Sequence, residues 1–171
     1  GLPPGVLNVV HGGRESVEAI CDHPDIAGVS FVGSSKVAEI VYRRASAAGK
    51  RVQSLGGAKN YMIVLPDADM EVALDACSGS IFGSTGQRCL AGSVIVGVGD
   101  AHTEIRDRML DTASSIRLGD GLEEATDMGP VISAAHRDRI VSFIDQGVAD
   151  GAKLSLDGRD ATVEVLENGY W

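Results

Sequence analysis

The chain has 171 residues, enough for one ordinary domain or two partial ones with a sizeable buried core. Hydrophobic residues make up 44% and charged residues 23%, and no apolar run nears the roughly 18 residues a membrane helix needs, so a soluble globular class is expected. A net charge of −9 argues against nucleic acid or an anionic membrane as the main partner, since both require a basic surface, and a small-molecule partner remains.

Strand-like and helix-like runs alternate almost from end to end, without internal repeat or linker, which indicates an α/β fold. "VLNVV" (Val6 to Val10) reads as a strand and Gly12-Gly13 as a turn. Arg14 to Asp22 reads as a helix with Val17 and Ile20 on one face. The apolar run "VSFVG" leads into a helix from about Ser35 to Ala48, with Val37, Ile40, Val41 and Ala45 on one face and Gly49 placed as its C′ residue. "RVQSL" and "YMIVLP" read as strands on either side of "GGAKN". Asp67 or Asp69 caps a helix running through Leu74 toward Phe82. After Cys89 come the strand "SVIVGV", a helix from about His102 to Ile116, and a helix opened by Ser133 whose buried face is Ile140, Phe143, Ile144 and Val148. "KLSLDG" and "ATVEVLENG" read as two closing strands.

The first residues carry no initiator methionine and no leader-like basic and apolar regions, and "ENGYW" stops abruptly, so a fragment of a longer chain is expected. Three cysteines at unrelated spacings form neither a disulfide framework nor a CxxC knuckle, which fits a reducing compartment. Cys21 and Cys77 fall at helical spacing from apolar neighbours, where a thiol packs as a small hydrophobe. Cys89 ends a loop after "GSTGQR", and the guanidinium of Arg88 beside it favours the thiolate. On chemistry alone Cys89 is open to two readings, nucleophile and core thiol.

Strand, then "GSS", then helix is an arrangement that lets helix N–H groups meet an anion, although Gly33-Ser34-Ser35-Lys36-Val37-Ala38 lacks the full GxGxxG spacing and an ordinary βα turn is the alternative. Gly56-Gly57 allows a flat ligand or another backbone to come close, or makes a tight bend that Lys59 and Asn60 hold by hydrogen bonds. The four histidines show no ligand spacing and no pairing with Cys89. "DGLEEATD" (Asp120 to Asp127) lacks the alternation of a calcium loop and reads as a solvated surface loop, so no metal is expected.

In order and at matching distances, "GLPPGVLNVVHG", "FVGSS", "GGAKN", "FGSTGQRCLAGS", "DMGPVIS" and "GAKLSLDGR" resemble the aldehyde dehydrogenase superfamily, and "GAKN", "VLPDAD" and "GQRC" resemble most its methylmalonate-semialdehyde dehydrogenase branch, the acylating kind that uses coenzyme A. The resemblance implies that Gly1 to about Gly56 is the second half of a Rossmann-like NAD-binding domain and Gly57 to Trp171 the first part of the catalytic domain. It implies that Cys89 is the nucleophile, that Phe31, Gly33, Ser34, Leu55 and Gly56 contact NAD, and that Arg88 binds the carboxylate of methylmalonate or malonate semialdehyde. Gly33 and Ser34 would face the dinucleotide phosphates, with Gly56-Gly57 beside the nicotinamide. Arg88 as a structural ion-pair partner, or as a modulator of Cys89 alone, is the other reading.

Hydrolytic members carry a glutamate general base four residues before the lysine of Glu-Leu-Gly-Gly-Lys; counted back from Lys59 that position is Leu55, 34 residues before Cys89. Leucine cannot accept a proton, so a thioester on Cys89 awaits a thiol such as coenzyme A. A hydrolytic semialdehyde dehydrogenase with a base elsewhere, and a non-catalytic scaffold of the same family, are the competing readings. The resemblance further implies a homotetramer in the cytoplasm or mitochondrial matrix, and places the oxyanion-hole asparagine before Gly1 and the second ribose-binding glutamate after Trp171. Oxyanion stabilisation is worth roughly 10²–10³ in rate, so this chain alone is expected to be inactive or nearly so.

Overall fold

In "GVSFV" and "RVQSL" every second side chain points to one face, and the two segments pair as parallel strands. The computed structural model describes residues 1–161, 163, 169 and 170, and it is α/β, with two compact units, Gly1–Ala58 and Lys59–Trp171.

The first unit runs α1 (Arg14–Asp22), β1 (Gly28–Val32), α2 (Ser35–Ala47), β2 (Arg51–Leu55). β1 and β2 run from Gly28 opposite Arg51 to Val32 opposite Leu55, with α2 as the crossover. Cys21, Val41 and Ala45 are buried, and Val17, Val29, Phe31 and Val52 pack on them. Ser54 Oγ donates to the Ala38 carbonyl at 2.7 Å, tying β2 to α2. Arg44 on α2 pairs with Glu18 and Asp22 on α1; hydrogen bonds from Arg14 first and Arg44 second hold the Glu18 carboxyl below its ordinary value, and that from Arg44 does so for Asp22. α2 ends in a Schellman motif: Gly49, at φ +74°, donates to Ser46 at 2.9 Å, and Lys50 donates to Ala45 at 3.1 Å.

The second unit runs β3 (Asn60–Val64), α3 (Met70–Phe82), β4 (Gly92–Gly97), α4 (Ala101–Ser115), α5 (Ala134–Ala149). β3 and β4 are parallel, with one irregularity: Asn60 faces Gly92 but Tyr61 faces Val94, so Ser93 is passed over. α3 and α4 bury Val64, Cys77, Ala101 and Ile105, against which Met62, Leu74, Ile95 and Met109 pack. Of the two aspartates, Asp69 is the cap of α3, its Oδ1 accepting from Glu71 N–H at 3.1 Å and Val72 N–H at 3.2 Å. Ser133 caps α5 by accepting from His136 N–H at 3.2 Å.

Several expectations are corrected. Val6 to Val10 is not a strand; its apolar side chains are exposed, and among the described residues no chain lies beside it to complete a ladder. "KLSLDG" is likewise irregular, and most of "ATVEVLENG" lies outside the described residues. The faces of α1 and α2 are rotated from those read in the sequence. Cys21 rather than Ile20 joins Val17 inside, and Ala38, Val41 and Ala45 are buried while Val37 and Ile40 are exposed. Small residues fit the close approach of helix to sheet, which turns the bulkier ones outward. On α5, Ile140, Phe143 and Val148 are exposed and Ile144 is half-buried. No helix among the described residues is long and apolar enough to cross a membrane.

Candidate active site

The loop between α3 and β4 departs from ordinary backbone before it reaches Cys89. Ser84 and Thr85 have φ of 52° and 56°, and Gly86 has φ of 67°. Left-handed dihedrals disfavour a β-branched residue, so Thr85 must be held there; its Oγ1 donates to the Gly129 carbonyl at 3.1 Å. The chain then enters a turn closed by Ala91 N–H donating to the Arg88 carbonyl at 3.0 Å, with Cys89 and Leu90 at its corners.

Cys89 is exposed whereas Cys21 and Cys77 are buried. Burial pushes the Cys77 thiol up, away from the reactive thiolate. Cys89 opens onto a cavity of ≈ 630 Å³ with Gly79, Ser80, Gln87, Arg88 and Leu90 around it. A separate cavity of ≈ 470 Å³, walled by Phe82, Ile95, Ile105, Met109 and Leu110 with His102 and Arg106, has no cysteine, serine or carboxylate among the described residues that line it. The candidate chemistry therefore belongs to the first cavity.

Arg88 does not simply lie beside the thiol. Its Nη2 donates to the Gly79 carbonyl at 2.6 Å and the Ser80 carbonyl at 3.1 Å. These are among the last four carbonyls of α3, which lack intrahelical donors. A Cβ at Gly83 would collide with this guanidinium, so glycine there admits the brace. Both bidentate modes of a guanidinium use one Nη2 hydrogen, so a forked contact to a carboxylate requires one of those two bonds to open, while a single contact through Nη1 does not.

Asn60, read in the sequence as a holder of the Gly56-Gly57 bend, does something else: its Nδ2 donates to the carbonyls of Cys89 and Ala91, each at 2.9 Å. Sequence reasoning missed this role because 29 residues separate Asn60 from Cys89. Nothing in the spacing signals the contact.

In the first unit, Phe31, Gly33, Ser34, Leu55 and Gly56 gather at the carboxyl ends of β1 and β2 and the start of α2, the edge where open α/β sheets bind ligands. Gly33 N–H donates to the Leu55 carbonyl at 3.1 Å. A Cβ at Gly33 would stand 2.6 Å from the Phe31 ring, and one at Gly56 would stand 2.8 Å from Ser35 Oγ and 3.1 Å from Ser35 Cα. The close neighbour of Gly56 is thus the backbone of α2. Ser34 is the cap residue of α2 but makes no side-chain capping bond, and Ser35 Oγ accepts from Gly57 N–H at 3.1 Å. The first-turn N–H groups and Lys36 suit an anionic group such as a dinucleotide phosphate.

The carboxylates of the Asp120–Asp127 loop are not gathered for a metal, and no group of three or more His, Cys, Asp or Glu is so placed among the described residues. Asp127 forms a two-pronged pair with Arg117, at 2.8 and 2.9 Å, which holds its carboxyl at about 2.

Compared with known proteins, the whole chain, residues 1–171, matches the model of the aldehyde dehydrogenase family. It is 51% identical over 165 residues to malonate-semialdehyde dehydrogenase 1 of Geobacillus thermodenitrificans, covering 96% of this chain and 34% of that one. It is 50% identical over 171 residues to a probable methylmalonate-semialdehyde/malonate-semialdehyde dehydrogenase (acylating, mitochondrial) of Drosophila melanogaster, covering 100% and 33%. Its fold is similar to the crystal structure of a putative methylmalonate-semialdehyde dehydrogenase from Sinorhizobium meliloti 1021 complexed with NAD. The TM-score is 0.93 at 48% identity, covering 100% of this chain and 35% of that one. The chain spans about a third of the length of these relatives.

Proposed function

The chain belongs to the aldehyde dehydrogenase family, and from that premise we propose that the protein containing it oxidises a carboxylate-bearing semialdehyde, of the methylmalonate or malonate type, with NAD and transfers the acyl group to coenzyme A. The observation that carries this reading is the contrast among the cysteines: Cys89 alone is exposed, on a braced turn beside a cavity and an arginine. The names of relatives about half identical to the chain support the substrate class and, for the Drosophila protein, acylation.

In this mechanism the Cys89 thiolate adds to the aldehyde carbon, forming an S–C bond and a thiohemiacetal. NAD, when bound, supplies the acceptor for the hydride which that adduct gives up. The carbonyl re-forms as a thioester on Sγ. A thiolate, its thiol proton having passed to solvent, then attacks the thioester carbonyl, and Cys89 leaves as the thiolate it began as. Phe31, Gly33, Ser34, Leu55 and Gly56 are the residues that would hold the dinucleotide, with the uncapped start of α2 toward its phosphates. Arg88 would meet the substrate carboxylate, through Nη1 or by releasing one of the α3 carbonyls. Leu55 offers no base for water, which keeps the thioester for coenzyme A.

Product analysis of the full-length protein tests the proposal. With malonate or methylmalonate semialdehyde and NAD, acyl-CoA is expected only with coenzyme A, and alkylation of Cys89 is expected to be slowed by aldehyde and to abolish turnover. Rapid acid release without any thiol would sink the acylating reading, and a full-length protein whose Cys89 shows no aldehyde-protectable alkylation would favour the scaffold.

A further inference from the structure

We propose that Asn60 is a positioning residue for Cys89, an inference that rests on the reading of Cys89 as the nucleophile. A primary amide carries two donor hydrogens on one nitrogen, and Asn60 Nδ2 meets two carbonyls, those of Cys89 and Ala91, each at 2.9 Å. The two acceptors flank Leu90, which is 82% exposed. Asn60 thus grips both ends of the peptide stretch that carries the thiol.

The strand ladder explains why a side chain is needed there. Asn60 is the first β3 residue, facing Gly92 across the irregularity that precedes the simple register of Tyr61–Val64 with Val94–Gly97. Beyond Gly92 toward Cys89 there is no β3 residue paired to accept or donate, so the Cys89 and Ala91 carbonyls lie outside the sheet. The amide of Asn60 continues the ladder sideways by one turn. Aspartate has the same shape but no donor, and glutamine is one methylene too long for the same reach.

The other braces hold the flanks. Ser80 Oγ accepts from Gly92 N–H at 2.9 Å, Arg88 is anchored on Gly79 and Ser80, and Thr85 is anchored on Gly129. Among the described residues, Asn60 is the side chain bonded to the main chain of Cys89 itself. With it removed, the Cys89–Leu90 peptide is free to rotate while both flanks stay in place, and Sγ moves with it. A displacement of about 1 Å at a reacting group lowers rates roughly 10²-fold.

The test uses the full-length protein and the variants Asn60→Ala and Asn60→Asp. Both are expected to lower kcat and the rate of Cys89 alkylation by iodoacetamide roughly 10- to 100-fold, leaving the Kd for NAD within about two-fold of wild type. Hydrogen exchange should quicken at the Ala91 amide and stay unchanged in the middle of β3 and β4. A folded variant with wild-type kcat and alkylation rate overturns the proposal, as does a loss shared equally by NAD binding. If neither variant folds, Asn60 is a folding determinant and the positioning assignment falls. If the wild-type protein oxidises no semialdehyde, the functional reading fails, and alkylation and exchange at the turn still decide for or against Asn60.

Discussion

A leucine at position 55 controls the fate of the acyl group in the proposed mechanism, because nothing in an isobutyl side chain can take a proton from water. Leu55 is 51% exposed, so a glutamate there keeps its charge solvated. Leu55→Glu in the full-length protein is expected to raise acid release without coenzyme A by roughly 10²-fold, the lower end of what a general base contributes. Single-turnover measurement of thioester hydrolysis checks this, and an unchanged rate removes Leu55 from the general-base position. Leu55 is assigned to that position in the proposal from its spacing to Lys59 and Cys89, because family motifs are sequential. The engagement of Arg88 with Gly79 and Ser80 was not legible, because it depends on where α3 ends in space.

Capping chemistry distinguishes two aspartates that spacing leaves equivalent. Asp69 accepts two orphan N–H groups of α3 and Asp67 does not. Asp69→Ala is expected to lower stability by about 1 kcal/mol, against about 0.5 kcal/mol or less for Asp67→Ala, read from denaturant midpoints of the full-length protein. Equal effects would show that the cap is not what sets the start of α3. Among the described residues, the four paired strands and five helices follow the sequence reading closely, since each rests on local periodicity and α2, α3 and α5 also on Gly49, Asp69 and Ser133 at their ends. Helix faces were harder to read. In α2 the buried set is Ala38, Val41 and Ala45, because residue size at the helix–sheet contact matters as much as apolarity.

For the whole molecule, surface charge gives a pH dependence whose sign is determined. Asp127 beside Arg117 and Asp157 beside Arg159 have carboxyls lowered from 3.8 to about 2 by those guanidinium hydrogen bonds. A carboxyl lowered by folding adds stability that is complete above its unfolded value. That stability is lost as pH falls from about 3.8 through about 2. Both pairs are on the surface, so the effect is small and salt-sensitive. Asp127→Asn is expected to flatten part of the fall in Tm across that window at low ionic strength, and to matter less in high salt. Parallel Tm profiles for wild type and variant would remove the pair from the acid response.

Taken by itself, the sequence determined the α/β class, the order and extent of the paired elements, the family, and the placing of Cys89 in a loop apart from two helical, buried cysteines. These are encoded locally, as side-chain period, turn residues and motif spacing. Tertiary structure decided which extended runs become strands. "VLNVV" and "KLSLDG" have strand-like patterns, but a strand exists only when a neighbour completes its ladder. It also decided what braces the thiol. Asn60 reaches Cys89 across 29 residues because β3 and β4 run side by side, and that adjacency comes from the packing of α3 and α4 on both strands.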